Sequence, residues 1–202
     1  MLSVENLGFY RNDQKIFTNL GFSLFLNAAL VVVGKNGSGK TSLLKIIAGL
    51  FKESSGKILW DEQNITDFRD DFNGDIQFLG HKNFLKQELS VFENLKFYAD
   101  LTDSKILIPS ALKIFDLEEF ANKKIKELSN GWQKRVMLAK LVACPATIWI
   151  LDEPTINLDS QGKKIFCDLV KTKIANQGMA IIATHEPELF DFAAKINMED
   201  YL

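Results

Sequence analysis

The sequence predicts an α/β protein with a core of mostly parallel sheet, an N-terminal antiparallel β part and an inserted α-helical subdomain. Three observations predict it. Strands of the kind buried on both faces, Leu30–Val33, Ile148–Leu151 and Met179–Thr184, alternate with segments of helical period. Residues 1–33 are short apolar runs broken by Asn, Gly and Asp. From Val91 to Leu141 the apolar period is helical almost throughout. The 202 residues, 47% hydrophobic, suffice for one domain with its own core. The expected division is 1–80 and 146–202 as the α/β core and 81–145 as the helical subdomain.

The elements follow in order. Leu24–Leu26, a turn at Asn27 and Leu30–Val33 read as two strands. Val33 feeds a glycine-rich turn, and Thr41–Leu50 reads as a helix with apolar residues at 43, 44, 46, 47 and 50. Lys57–Trp60 and Ile76–Leu79 read as strands, and the acidic cluster Asp67, Asp70, Asp71 and Asp75 between them as a solvated loop. Ser90 with Glu93 makes a capping box for a helix from Val91. Pro109 marks a helix start or break. Ser160–Asn176 reads as a helix ending near Gly178.

Composition excludes several classes. The 24 Lys and Arg against 26 Asp and Glu give a net charge of −2, which disfavours a basic nucleic-acid surface. Two cysteines, Cys144 and Cys167, make no disulfide framework and fit a reducing compartment. Ile16–Gly34 lacks charge over a length that imitates a spanning helix, but Thr18, Asn19, Ser23 and Asn27 interrupt it. No basic segment precedes an apolar run at the start, so no signal peptide is expected. If the protein works at a membrane, a partner holds it there.

Four motifs carry chemistry. Gly34-Lys35-Asn36-Gly37-Ser38-Gly39-Lys40-Thr41 fits G-x-x-x-x-G-K-[ST], a loop whose backbone N–H groups surround phosphate oxygens. Lys40 suits the β- and γ-phosphates, Thr41 suits Mg²⁺, and Ser42 continues the set into the helix. Ile148–Leu151 ends in Asp152-Glu153, which emerge where ligands sit in open α/β sheets. Asp152 suits a Mg²⁺ contact and Glu153 the polarising of an attacking water. Alone, the pair could be capping carboxylates before Pro154; the phosphate loop argues for chemistry. His185 follows a buried strand, where a structural histidine or a γ-phosphate contact both fit. Ser129-Asn130-Gly131 opens a helix, either as an ordinary capping turn or as a second anion site.

Taken in chain order, the phosphate loop, Leu128-Ser129-Asn130-Gly131 before a helix, Ile150–Pro154, Asn157-Leu158-Asp159 and His185 resemble the ATP-binding subunits of ABC transporters, over the whole chain. The resemblance implies a P-loop NTPase (RecA-like) core and ATP hydrolysis with Mg²⁺. It also implies a second copy packed head to tail, each ATP lying between one copy's phosphate loop and the other's Ser129–Gly131. Asp159, in Asn157-Leu158-Asp159, would belong to the loop crossing between copies. The strings Gly56–Trp60, Phe78–His81, Val91–Tyr98 and Ala146–Pro154 are similar to the CcmA family, the ATP-binding subunits of cytochrome c maturation (heme export) complexes. The short chain after the last strand also fits. That likeness implies integral membrane subunits as partners, a peripheral place on the cytoplasmic face of the inner membrane, and heme delivery as the purpose. The alternatives are the nucleotide-binding subunit of another ABC importer or exporter, or a soluble ABC ATPase.

The family's loop glutamine is replaced by His81, a candidate for sensing Mg²⁺ or water, or for transmitting movement between subdomains. The usual Gly and Gln of the signature are Asn130 and Trp132; Asn130 would keep the turn by tolerating left-handed backbone angles, and Trp132 adds bulk beside the ATP. The adenine-stacking aromatic is expected before the phosphate loop: Tyr10, with Phe9 and Phe17 as alternatives. Phe84, Leu85 and Lys86 could face the membrane subunit or pack in the core.

Overall fold

The protein was described from a computed structural model, covering residues 1–80 and 84–202. Its chain forms two compact units: Met1–Gly80 with Thr147–Glu153 and Lys171–Leu202, and His81–Ala146 with Pro154–Val170. This grouping puts Pro154–Val170 with the helices, where the sequence-based division has them in the core.

The first unit holds nine strands: β1 (Leu2–Arg11), β2 (Gln14–Leu24), β3 (Ala28–Val33), β4 (Ser55–Trp60), β5 (Gln63–Asn64), β6 (Ile76–Leu79), β7 (Ile148–Asp152), β8 (Met179–Ala183) and β9 (Ala194–Asn197). They make an antiparallel sheet, order β2-β1-β4-β5, and a parallel sheet, order β6-β7-β8-β3-β9. The parallel strands read as unbroken apolar runs because both faces are covered; β7 and β8 are buried at every residue. The antiparallel strands instead mix buried and exposed residues. Helix α1 (Lys40–Ile47) buries Leu43, Leu44, Ile46 and Ile47 in one core with residues of both sheets.

Several boundaries differ from the sequence expectation. Phe25 and Leu26 are not strand: β2 stops at Leu24, and both are exposed in a turn that Asn27 closes with φ 64. Helix α1 stops at Ile47 because Gly49, at φ 70, ends it, and Leu50 is left exposed. The acidic segment is not a loop. Asp70, Asp71 and Asp75 lie on a short helix, α2 (Arg69–Asp75), held by the buried Phe72 and by a bond from Thr147 Oγ1 to Asp75 Oδ1 of 3.2 Å. Strand β9 has no counterpart in the sequence reading.

The second unit is helical: α3 (Val91–Ala99), α4 (Ile108–Ile114), α5 (Asn130–Ala143) and α6 (Ser160–Ala175), whose residues to Val170 belong here. Ser90 and Glu93 form the expected capping box, and Pro109 stands in the first turn of α4. Asn94 is fully buried. Its amide donates to the carbonyls of Lys86 (3.0 Å) and Ser90 (2.9 Å) and accepts from Lys86 N–H (2.8 Å), fixing the segment before α3.

Candidate nucleotide site

The phosphate loop leaves β3 and turns into α1. Gly39, at φ 96, is the N-cap, and a Cβ there would lie 2.8 Å from Ile16 Cγ2 and 3.1 Å from Phe17 Cδ1. Only glycine fits, and the free first-turn N–H groups of α1 then face the loop. No acidic residue occupies that first turn to compete for an anion. Ser38 Oγ is buried with no hydrogen-bond partner, an orphan that suits a loop built around phosphate. Lys35, Asn36 and Gly37 are exposed at the loop tip, and Ser42 is half-buried.

The charged groups converge within this unit. Lys40, 7% exposed, donates to the carbonyls of Gly34 (2.7 Å) and Lys35 (3.2 Å). Thr41 Oγ1 donates to Asp152 Oδ2 at 2.9 Å. Asp152 ends β7, buried, opposite Ala183 of β8. These two hard oxygen donors fit Mg²⁺, which keeps waters and takes few protein ligands. Glu153 follows with φ 50, a left-handed angle uncommon outside glycine, asparagine and aspartate, while its N–H still donates to Ala183 O at 2.9 Å. That twist turns the carboxylate toward His185, whose N–H donates to Glu153 Oε2 (3.3 Å) and whose Nε2 lies 3.5 Å from Glu153 Oε1. The same Nε2 lies 2.9 Å from Asn36 Oδ1 and 3.5 Å from Lys40 Nζ. His185 thus bridges the loop tip, the loop lysine and the carboxylate. Glu153 could polarise a water, and Lys40 with the loop N–H groups could hold the phosphates.

Among the aromatics, the alternatives to Tyr10 are removed. Phe17 is fully buried and Phe9 stacks on Phe51 at 5.9 Å, so both are core. Tyr10 is exposed opposite Lys15, next to Ile16 that touches Gly39. His81 lies outside the described residues.

In the helical unit a pocket of about 220 Å³ is lined by Ser129, Gly131, Trp132, Arg135, Asn157 and Asp159. Ser129 caps α5, accepting from Trp132 N–H at 3.5 Å. Asn130 is an ordinary helical residue, so the left-handed angle expected of it is not needed. Gly131 matters by proximity: a Cβ would come within 3.1 Å of Asn157 O. The sequence reading missed Arg135. Buried on α5, it binds Asp116 Oδ2 (3.0 Å) and Asp159 Oδ1 (2.9 Å) and lies 4.7 Å from the Trp132 ring, which packs on Phe120 at 4.4 Å. The Gly162 N–H, then Arg135, hold Asp159 below the usual carboxylate range. Leu85 is buried as core, whereas Phe84 is exposed and its carbonyl accepts from the Tyr98 hydroxyl at 3.2 Å.

Residues 17–156 match the family described as ABC transporter. The chain belongs to the ABC transporter family, and its fold is that of an ABC ATP-binding cassette. It is 36% identical over 194 residues to the cytochrome c biogenesis ATP-binding export protein CcmA of Wolbachia pipientis wMel, covering 95% of this chain and 94% of the relative. It is 38% identical over 194 residues to the protein of the same name in Vibrio vulnificus strain YJ016, covering 95% of each. An ABC transporter ATP-binding protein from Pyrococcus furiosus superposes with a TM-score of 0.86 at 27% identity, covering 99% of this chain and 98% of that one. Among the described residues no helix is long and apolar enough to cross a membrane.

Proposed function

We propose that this chain is the ATP-hydrolysing subunit of an ABC-type translocase, and that its turnover powers heme export or delivery for cytochrome c biogenesis. The observation that carries the hydrolytic part is the meeting of Lys40, Asn36 and Glu153 at His185. The Gly34–Thr41 loop with Ser42 would hold the triphosphate, and Tyr10 would stack on adenine. Thr41 and Asp152 would hold Mg²⁺, which supplies neutralisation of charge on the phosphate oxygens. Lys40 draws charge from the γ-phosphoryl oxygens. Glu153 accepts a proton from the attacking water as the bond between the γ-phosphorus and the bridging oxygen breaks, leaving ADP and phosphate. His185 holds Glu153 and the water in line.

In this reading each ATP lies between two copies. Ser129 and Gly131 of a second copy complete the site, and the pocket they line with Asn157 and Asp159 suits that task. Closing on two ATPs and reopening after hydrolysis would drive integral membrane subunits of a cytochrome c maturation complex. The chain would sit peripherally on the cytoplasmic face of the inner membrane. The CcmA relatives and the resemblance in the strings quoted above support that assignment.

Glu153→Gln tests the chemistry. Phosphate release should fall about 10²- to 10⁴-fold while ATP stays bound and a dimer accumulates in size-exclusion chromatography. Unchanged hydrolysis would contradict the role of Glu153. A pull-down from native membranes tests the biology: recovery of cytochrome c maturation subunits is expected, and an unrelated permease would refute the narrower assignment.

A further inference from the structure

Strands β3 and β9 run parallel, and they end together, with Val33 paired to Asn197. The phosphate loop leaves the first at Gly34; a 3₁₀ turn, Met198–Tyr201, leaves the second. The two segments therefore grow side by side. Met198 is fully buried between them: a Cβ on Gly34 would lie 3.2 Å from Met198 Cβ, and one on Gly39 would lie 3.5 Å from Met198 Cε. Asn197 Oδ1 accepts from Glu199 N–H at 3.1 Å and fixes the turn. Glu199 Oε1 then accepts from Lys35 N–H at 3.3 Å and stands 3.6 Å from Lys35 Nζ. Nothing in the motifs of the loop anticipates this carboxylate.

We propose that Glu199 is a positioning residue of the phosphate loop, ordering it for the triphosphate by holding the backbone and ammonium of Lys35; this rests on the ATP reading above. Lys35 is exposed at the tip of the loop; its carbonyl is held by Lys40 Nζ and Ser38 N–H, each at 3.2 Å, and Glu199 holds its N–H. A glycine-rich segment that must be ordered before it binds loses affinity by the fraction of time it is disordered. Two effects of Glu199 oppose each other. Its charge repels a triphosphate, and its bond to the loop preorganises the donors for one. The Lys35 ammonium offsets the charge, whereas the hydrogen bond acts on the loop backbone itself, so ordering outweighs repulsion.

The test uses the full chain and two readouts: equilibrium titration with a fluorescent ATP analogue, and steady-state hydrolysis. Glu199→Ala should weaken binding and raise KM about three- to tenfold, with kcat changed less than about twofold. Glu199→Gln keeps an acceptor oxygen and should recover most of the affinity. Binding by Glu199→Ala as tight as wild type or tighter overturns the proposal, as does a kcat that falls as far as KM rises. A wild-type chain that does not bind the analogue overturns the ATP reading itself, and this proposal with it.

Discussion

The two units carry different kinds of polar site. In the α/β unit Lys40, Asp152 and Glu153 are buried, and the polar groups are tied to one another: Thr41 to Asp152, Lys40 to its own loop, and the exposed His185 to Asn36 and Glu153. In the helical unit Ser129, Asn157 and Asp159 are exposed around a pocket, and the buried Arg135 that lines it braces Asp116 and Asp159. One region has the groups for moving a proton and neutralising phosphate. The other has a capped helix start, and the carboxylate that lines its pocket, Asp159, is taken up by Arg135 and the Gly162 N–H. The difference teaches that chemistry and closure are built separately, so a defect in each should read out differently.

The largest expected effect breaks the chemistry alone. Glu153→Gln, with its loss of about 10²- to 10⁴-fold in turnover, should leave nucleotide affinity intact. Next comes the closure side. Gly131→Val puts two branches where even a Cβ meets Asn157 O at 3.1 Å. Turnover is expected to fall about tenfold or more, with ATP binding by the dilute single chain unchanged, as measured by titration. Equal loss of affinity would erase the contrast between the units.

Smaller effects should alter the stability of the helical unit and not its partner's chemistry. Burial lowers Lys140 from the usual 10.5 to about 8, with its Nζ 3.4 Å from the Tyr98 ring centroid. Between those values the unfolded chain holds a proton the folded chain lacks, so stability rises with pH. Burial raises the Cys144 thiol above its usual 9.0, and the unfolded thiol, ionising first, opposes the rise from there. Urea unfolding should show a gain of about 1 kcal/mol from pH 8 to 9 and then a plateau, and Lys140→Met should abolish the gain. Ser90→Ala, which removes the cap of α3, should cost about 1 kcal/mol in the same assay, with kcat preserved.

What was legible in the sequence was what one short string encodes. The phosphate loop, Asp152-Glu153 after four apolar residues, and the capping box at Ser90 each carry their geometry locally. The rest depends on residues far apart. Arg135 meets Asp116 and Asp159 across separations of 19 and 24 residues, and Glu199 meets Lys35 across 164. No periodicity marks such pairs. Helix α2 escaped notice because Asp, Asn and Gly fill it, and the burial of Phe72 and the bond from the distant Thr147 to Asp75 hold it. Strand β9 is four residues long and half exposed, so it lacks the apolar run that revealed β3, β7 and β8. Phe9 stands between Gly8 and Tyr10 and Phe17 between Ile16 and Thr18, so no clean alternation marks their face, and packing shows that they point inward.

The central claim is that each hydrolytic site draws on two copies, and mixing crippled chains tests it most directly. Lys40→Ala and Gly131→Val are each expected to be nearly inactive alone. Mixed in equal amounts they should recover about a quarter of the wild-type rate, because half the dimers are mixed and one of the two sites in each is then intact. A mixture no more active than its components, with both variants folded, would contradict the claim.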